Sequence, residues 1–357
     1  MPINPHASHG AVRETAPSPR PEDGTLRGRA NSHECLLGDC PKVSVIIPIH
    51  NVESYLRRCL DSVCGQTLHD IEILCVNDNS PDNSLSIISE YQRNDDRIKL
   101  INFGENKGVS FARNYAIDRA NGDYLGFVDP DDEIGPHFFE KLYARAISGG
   151  YEIVKGRALH IFEDGRKAFG INNENICKNK LHFCREFWSA IYRREFIIKN
   201  EINFTIGAMF GEDIAFVCKA VSVVEHIATV DDAIYAYHRR SDSSDGEILS
   251  KNHLMSLFLS QNDIVKFINK REVGPSSYDA LFFYAFTNCV NGLRRTKSND
   301  RMSIILYARL LTSMFETCKR KPAFGYKLYE SLPGLYELLS KNVPEEIEQY
   351  LFDFIKK

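Results

Sequence analysis

The chain has 357 residues, of which 43% are hydrophobic and 26% charged, enough for two domains or for one large α/β domain with an appended lobe. A formal charge of −4 argues against a general polyanion binder, so nucleic acid is not an expected partner and any phosphate recognition must be local. No stretch reaches the ~20 apolar residues of a membrane span, and the first residues lack the pattern of a signal peptide; the expected location is cytoplasmic, with any membrane attachment peripheral, at the inner face of the plasma membrane.

Residues 1–40 carry Pro2, Pro5, Pro17, Pro19 and Pro21 among Gly, Ser and Arg, with almost no apolar side chains. Such a segment cannot bury enough surface to offset its ordering entropy and is predicted to be disordered. Globular sequence begins at "PKVSVIIPIHN". The continuous β-branched run "VSVIIP" (43–48) predicts a strand buried on both faces. Leu56, Cys59, Leu60 and Val63 then recur at helical spacing, with Asn51 as the expected N-cap. "IEILCV" (71–76) is the second predicted strand. Ser80 as N-cap and Pro81 at the first helical position would open the next helix, continued by Leu85 and Ile88. "IKLINF" (98–103) gives a third strand, "GENKG" a loop, and Val109 to Ala120 a helix presenting Ala112, Ala116 and Ala120 on one face. "YLGFV" (124–128) is the fourth strand. This alternation implies right-handed crossovers and a Rossmann-like, mostly parallel sheet flanked by helices, an α/β domain.

Past residue 150 the pattern changes. "YEIVKGRALHIFEDGRKAFG" reads as an antiparallel hairpin with "EDG" as its turn. Helical segments are expected near 186–199 and 212–224, followed by a strand around "HIATVDDAIYAYHRR". Beyond about residue 250 the chain reads as an all-helical extension. Leu254, Leu257, Phe258, Ile264, Val265 and Ile268 form one stripe, Ile304, Ile305, Leu311 and Met314 another, and Ile347, Tyr350, Leu351 and Phe354 a third. The domain reading is a tail over 1–40, a main domain over 41–245 divided at 150, and a helical region over 250–357.

The ten cysteines are scattered and form no CxxC, which fits reduced, mostly buried thiols. His33, Cys35 and Cys40 are zinc-type ligands without a second half, so no zinc site is expected.

In an open parallel sheet the ligand crevice lies beyond the carboxyl ends of the strands. After strand one come Pro48, Ile49, His50, Asn51 and Glu53, and after strand two Asp78. Asn106, Lys107 and Arg113 follow strand three, and Asp129, Asp131 and Asp132 follow strand four. Polar groups from four separated segments therefore converge on one edge. Asp129 and Asp131 are hard oxygen ligands that repel each other unless a cation or a proton intervenes. Mg²⁺ or Mn²⁺ suits such a pair, with substrate phosphate oxygens completing the shell, and Lys107 or Arg113 could meet the remaining phosphate charge. The plainer alternative is that Asp132 and Glu133 cap a helix starting near Pro136 while the other acids face water.

The segments "VSVIIPIHNVESYLRRCLDSVCGQT", "EILCVNDNSPDNS" and "ENKGVSFARNYAIDRANGDYLGFVDPDDEI" together resemble the nucleotide-sugar-binding half of family 2 glycosyltransferases, which have the GT-A fold. The resemblance spans 42 to about 150 and continues more weakly through "FWSAIYRREFI", "GEDIAF" and "YAYHRRSDSS" to about 245. It implies that Pro48 to Asn51, with Glu53, lie against the nucleoside, and that Asp78 accepts a hydrogen bond from a uracil ring N–H. Arg113 and Asn114 would support the nucleotide pocket. Asp129 and Asp131 would be the DxD, the second acid binding metal and the first holding the ribose or the site geometry. Asp213 matches the catalytic base, with Glu212 beside it as the fallback, and His238 a further metal or phosphate contact. The implied activity is inverting transfer of a sugar from a nucleoside-diphosphate sugar, UDP-linked by family habit, with Mn²⁺ or Mg²⁺. The implied acceptor is a hydroxyl of a glycan or lipid-linked molecule in bacterial surface polysaccharide synthesis.

Asn77 and Asn79 replace the family's usual Asp and Gly beside Asp78, Pro130 replaces a serine within the DxD, and "WSAIYRR" lacks the usual Asn-Lys. None removes a required group. Phe187 and Trp188 could stack on an acceptor sugar or simply fill the core. Two competing readings are a nucleotide-sugar-binding scaffold with a decayed site and a haloacid-dehalogenase-type phosphatase. The latter would place its DxD on the first strand rather than the fourth.

Overall fold

The computed structural model describes residues 40–183, 186–240, 250–295, 301–319, 333–341 and 344–356. The tail expected to be disordered, except Cys40, and the His33–Cys35 pair lie outside the described residues. So do Cys184 and the stretch 241–249.

Three wholly buried strands form the centre: β1 (Val43–Ile49), β2 (Ile71–Asn77) and β4 (Tyr124–Phe127). With β3 (Ile98–Asn102) on the edge they pair in parallel, as continuous apolar runs buried on both faces should. Helix α1 (Glu53–Cys64) buries Leu56, Cys59, Leu60 and Val63, the stripe its spacing predicts. Its start differs from expectation. Asn51 adopts a left-handed backbone (φ 57°) and its N–H points to Ser80 Oγ (3.3 Å), so it caps nothing. Helix α2 (Ser84–Gln92) begins later than the Ser80–Pro81 signal suggested. The reason is Asp82, whose two carboxylate oxygens accept from Ser84 N–H (3.1 Å) and Glu53 N–H (2.8 Å), while Glu53 Oε2 accepts Asn83 N–H (2.7 Å). Each helix thus satisfies the orphan N–H groups of the other.

Helix α3 (Val109–Ile117) buries Ala112 and Ala116, and α4 (Phe138–Gly149) follows the short strand β5 (Glu133–Ile134). The expected hairpin is present as β6 (Ile153–Phe162) and β7 (Lys167–Phe169), followed by the short helix α5 (Asn173–Lys178). The helix expected near 186–199 exists only in its second part, α6 (Arg194–Lys199). Before it run a 3₁₀ turn at Phe187–Ser189 and strand β8 (Ala190–Arg193). Local spacing loses here because β8 fills the gap between β4 and β6, pairing antiparallel with both and burying Ala190, Ile191 and Tyr192 completely. Helix α7 (Glu212–Val223) and strand β9 (Ile227–Arg239) fall where expected. The sheet order is β3-β2-β1-β4-β8-β6-β9-β5, with β7 on β6. It is parallel through β4; beyond β4 only the β6–β9 pair is parallel, so the sheet as a whole is mixed.

Phe127, Phe187, Phe204 and Phe216 interlock beneath the sheet, with Phe204 stacked on Phe216 at 4.3 Å between centroids. This cluster joins the first half of the domain to the second. The rest of the described chain is helical: α8 (Lys251–Lys270), α9 (Pro275–Arg295), α10 (Arg301–Glu316), α11 (Pro333–Lys341) and α12 (Pro344–Lys356). The α8 stripe is buried as its periodicity predicts. None of the described helices is long and apolar enough to cross a membrane. Among the described residues Cys59, Cys64, Cys75, Cys218, Cys289 and Cys318 are free thiols; Cys40 is disulfide-bonded, against the expectation of reduced cysteines throughout.

Gly126 shows how tightly β4 is packed, since a Cβ there would lie 2.5 Å from Cε1 of the fully buried Phe139. Gly126→Ala is expected to lower stability by about 2 kcal/mol through overpacking, read as a shifted urea midpoint with an unchanged slope.

Candidate active site

The carboxyl ends of β1, β2 and β4 and the start of α3 enclose a pocket of about 280 Å³. Pro48, Ile49, His50, Asp78, Arg113, Asp129 and Asp131 line it, with Asn106, Gly108, Val109, Ala112 and Pro130. The crevice lies where an open α/β sheet places its ligands. Of the residues singled out from sequence, Asn51, Glu53, Lys107, Asn114, Asp132, Glu212, Asp213 and His238 stand outside the lining. The Glu53 side chain is occupied at the start of α2, and Lys107 Nζ pairs with Glu105 at 3.1 Å.

Asp78, 3% exposed, accepts the backbone N–H of Lys107 on one oxygen (2.7 Å) and of Gly108 on the other (2.8 Å). It thereby ties the end of β2 to the loop entering α3. Gly108 has φ 86°, a conformation in which a side chain is strained. His50 Nδ1 stands 2.9 Å from the Asp78 carbonyl, and Asn106 Nδ2 stands 3.1 Å from His50 Nε2. Both side chains are held on the pocket wall.

Arg113 is the hinge of the site. Its side chain is 6% exposed, with one nitrogen 2.8 Å from Asp129 Oδ1 and another 3.1 Å from Glu212 Oε1. The guanidinium lies over the rings of Phe187 (4.7 Å) and Phe204 (5.0 Å), a placement that favours a desolvated cation. Neighbouring Asn114 clasps the Phe204 backbone from both sides, its amide donating to the carbonyl (2.9 Å) and its oxygen accepting the N–H (2.8 Å). The strand-four acids and the α7 acids therefore share one network. Asp213, beside Glu212, has its carboxyl pushed up to about 7, first by burial and then by the Glu212 charge, with Arg113 pulling the other way.

Asp131 pairs with Arg240 at 2.7 Å. Burial, and then the charge of Asp129, raise its pKa above the usual carboxylate range. Asp132 caps no helix. Fully buried, it accepts the Tyr235 hydroxyl (3.0 Å) and the His238 N–H (2.9 Å), and burial followed by the Asp131 charge pushes its pKa well up. The same Tyr235 oxygen accepts Asp129 N–H (3.0 Å), so β9 holds the strand-four loop from below. His238 turns its ring to Glu133 (2.9 Å) and is absent from the pocket lining. Trp188, 7% exposed, is stacked on Tyr235 (4.2 Å) and Tyr237 (5.3 Å), and Phe187 is 2% exposed; both belong to the core.

Sequence reasoning missed Tyr235, Arg240 and the bracing role of Asp132. Alternation in "YAY" signals that Tyr235 and Tyr237 share a face, but only the pairing of β9 shows that this face looks toward the acids.

The profile of glycosyl transferase family 2 matches residues 44–212. Glycosyltransferase GlyG of Streptococcus pneumoniae is 30% identical over 217 residues, 56% of this chain and 72% of GlyG. The chain belongs to glycosyl transferase family 2. It is also 33% identical to the uncharacterized glycosyltransferase EpsJ of Bacillus subtilis, over 57% of this chain but only 62% of EpsJ. The match thus leaves more than a third of that relative unspanned. The crystal structure of S. aureus TarS residues 1–349 in complex with UDP-GlcNAc superposes with a TM-score of 0.65 at 20% identity, covering 88% of this chain and 92% of that one. The chain therefore has the GT-A glycosyltransferase fold with a helical C-terminal region.

Tyr235→Phe removes the one hydroxyl serving both Asp132 and the Asp129 N–H. It should cost about 1–3 kcal/mol, the penalty for leaving buried polar groups unpaired, measured by urea denaturation.

Proposed function

We propose that this chain is an inverting glycosyltransferase. It would move a sugar from a nucleoside-diphosphate donor, UDP-linked, to a hydroxyl of a glycan or lipid-linked acceptor of a bacterial surface polymer. The observation that carries the reading is the Arg113 bridge, which holds a donor-side acid, Asp129, and the α7 acids in one network.

The donor pocket supplies the parts such a ligand requires. Its lining includes Asp78, His50 and Asn106, which would meet a nucleobase, and Asp129 and Asp131. Asp129 and Asp131 fit a divalent cation. They are hard oxygen donors, and the proton affinity of Asp131 is raised first by burial and then by the charge of Asp129, with Arg240 pulling the other way. Among the described residues no group of three metal-ligating side chains forms. Mg²⁺ or Mn²⁺ held by Asp131 and Asp129 would thus draw its remaining ligands from diphosphate oxygens. Such an ion would act as a Lewis acid, offsetting charge on the departing diphosphate.

The protein's own part is proton transfer and alignment. Glu212 is engaged by Arg113, which leaves Asp213 as the group to take the proton from the attacking hydroxyl. A carboxylate near 7 is matched to that task at neutral pH. One base acting on a hydroxyl opposite the leaving group gives inversion at the anomeric carbon.

Asp213 accepts a proton only when ionised. The transfer rate should therefore rise with pH through about 7 and level off above it, measured as nucleoside-diphosphate release from a panel of nucleotide sugars with Mn²⁺. Asp213→Asn should cut the rate ~100-fold, at the scale of a general base, and leave donor binding within a few-fold; a near-normal rate would pass the role to Glu212. Chelation by EDTA should abolish release and added Mn²⁺ restore it, whereas turnover indifferent to EDTA would remove the metal from the reading.

A further inference from the structure

The segment leading into α7, residues 203–211, has hydrogen bonds on two sides. On the domain's own side, Asn114 clasps Phe204. On the other side its partners come from α8, beyond the residues that the family profile matches. Ser256 Oγ accepts Met209 N–H (3.2 Å), Ser260 Oγ donates to the Phe210 carbonyl (3.2 Å), and Asp263 Oδ2 accepts the Thr205 hydroxyl (2.7 Å). These three residues, four and three apart, lie on one face of α8. The same Asp263 oxygen pairs at 2.6 Å with Lys219, an α7 residue only 3% exposed. Gly211, the residue before α7, has φ 79°, and a Cβ there would sit 3.3 Å from Leu257 of α8.

Asp263 therefore joins the start of the approach segment to the middle of α7. Without its charge, the Lys219 ammonium would keep the Asn203 carbonyl as a partner but be buried with no counter-charge, a cost that a shift of α7 would relieve. The pocket of β1, β2, β4 and α3 takes no lining residue from α7 or α8, so such a movement would displace the α7 acids first and reach the donor site only through the single Arg113–Glu212 bond.

We infer that Asp263 is a positioning residue for the acid pair at the head of α7, and that α8 of the helical region is thereby a working part of the transfer site. This rests on the proposed function for the role of Asp213, and on geometry alone for the anchoring.

The test uses the full chain carrying Asp263→Asn, with UDP binding and UDP release from UDP-GlcNAc as probes in Mn²⁺. The expected result is release at least ~10-fold slower per folded molecule, the scale on which small misplacements act, with the UDP dissociation constant within twofold of wild type. Amide exchange should quicken across 203–216 and stay unchanged across 43–77. Should the variant fail to fold, Thr205→Val removes the other bond to the same carboxylate and should give the same pattern in weaker form. Unchanged exchange in 203–216, or release and UDP affinity falling together, would overturn the inference. Wild-type protein that binds UDP but never releases it from UDP-GlcNAc would count against that donor reading instead, and the exchange result would still judge the anchoring.

Discussion

A single buried cation organises this molecule. The Arg113 guanidinium is shut away from water and would be costly there without two carboxylates and two aromatic faces to replace its hydration. One carboxylate ends β4 and the other begins α7, so the charge balance is met only when both halves of the domain are closed on each other. Burial, and then Glu212 and Asp129 on either side of Arg113, set how readily Asp213 ionises. Folding and the tuning of the site are therefore one electrostatic arrangement.

The second constraint is mechanical. Tyr235 links two consecutive features of the strand-four loop, the Asp129 N–H and the Asp132 carboxylate, while Arg58 donates to the Asp131 carbonyl and Arg240 pairs with its side chain. Backbone and side chains of this loop are each held by a different element. A loop so braced spends little entropy when it meets a ligand.

Much of this was legible in the sequence. The buried strands announce themselves as unbroken β-branched runs, and the polar groups converging after β1, β2 and β4 follow from the alternation of strands and helices. What escaped depended on pairing. Strand β8 reads locally as helix because the sheet on both sides of it decides its conformation, and the start of α2 is set by an exchange of hydrogen bonds with α1. Tyr235 looks like any strand tyrosine until β9 is laid beside β6. Asn51 and Glu53 have capping-type side chains, yet Asn51 sits in a left-handed turn and Glu53 caps the neighbouring helix.

The pairing of β6 with β9 carries a consequence for how such a chain can vary in length. The two strands run in register from Arg157↔Ile234 to Phe162↔Arg239 after an irregularity between Lys155 and Arg157, and Tyr235 reaches the acids only from one side of that ladder. Because neighbouring strand residues face opposite ways, inserting one residue between Ile234 and Tyr235, inside the regular part of the ladder, would turn the hydroxyl away from Asp129 and Asp132. The hairpin tip at 163–166, exposed and remote from this alignment, is free to lengthen. Divergence among relatives should accordingly concentrate at the tip and spare the spacing of β9.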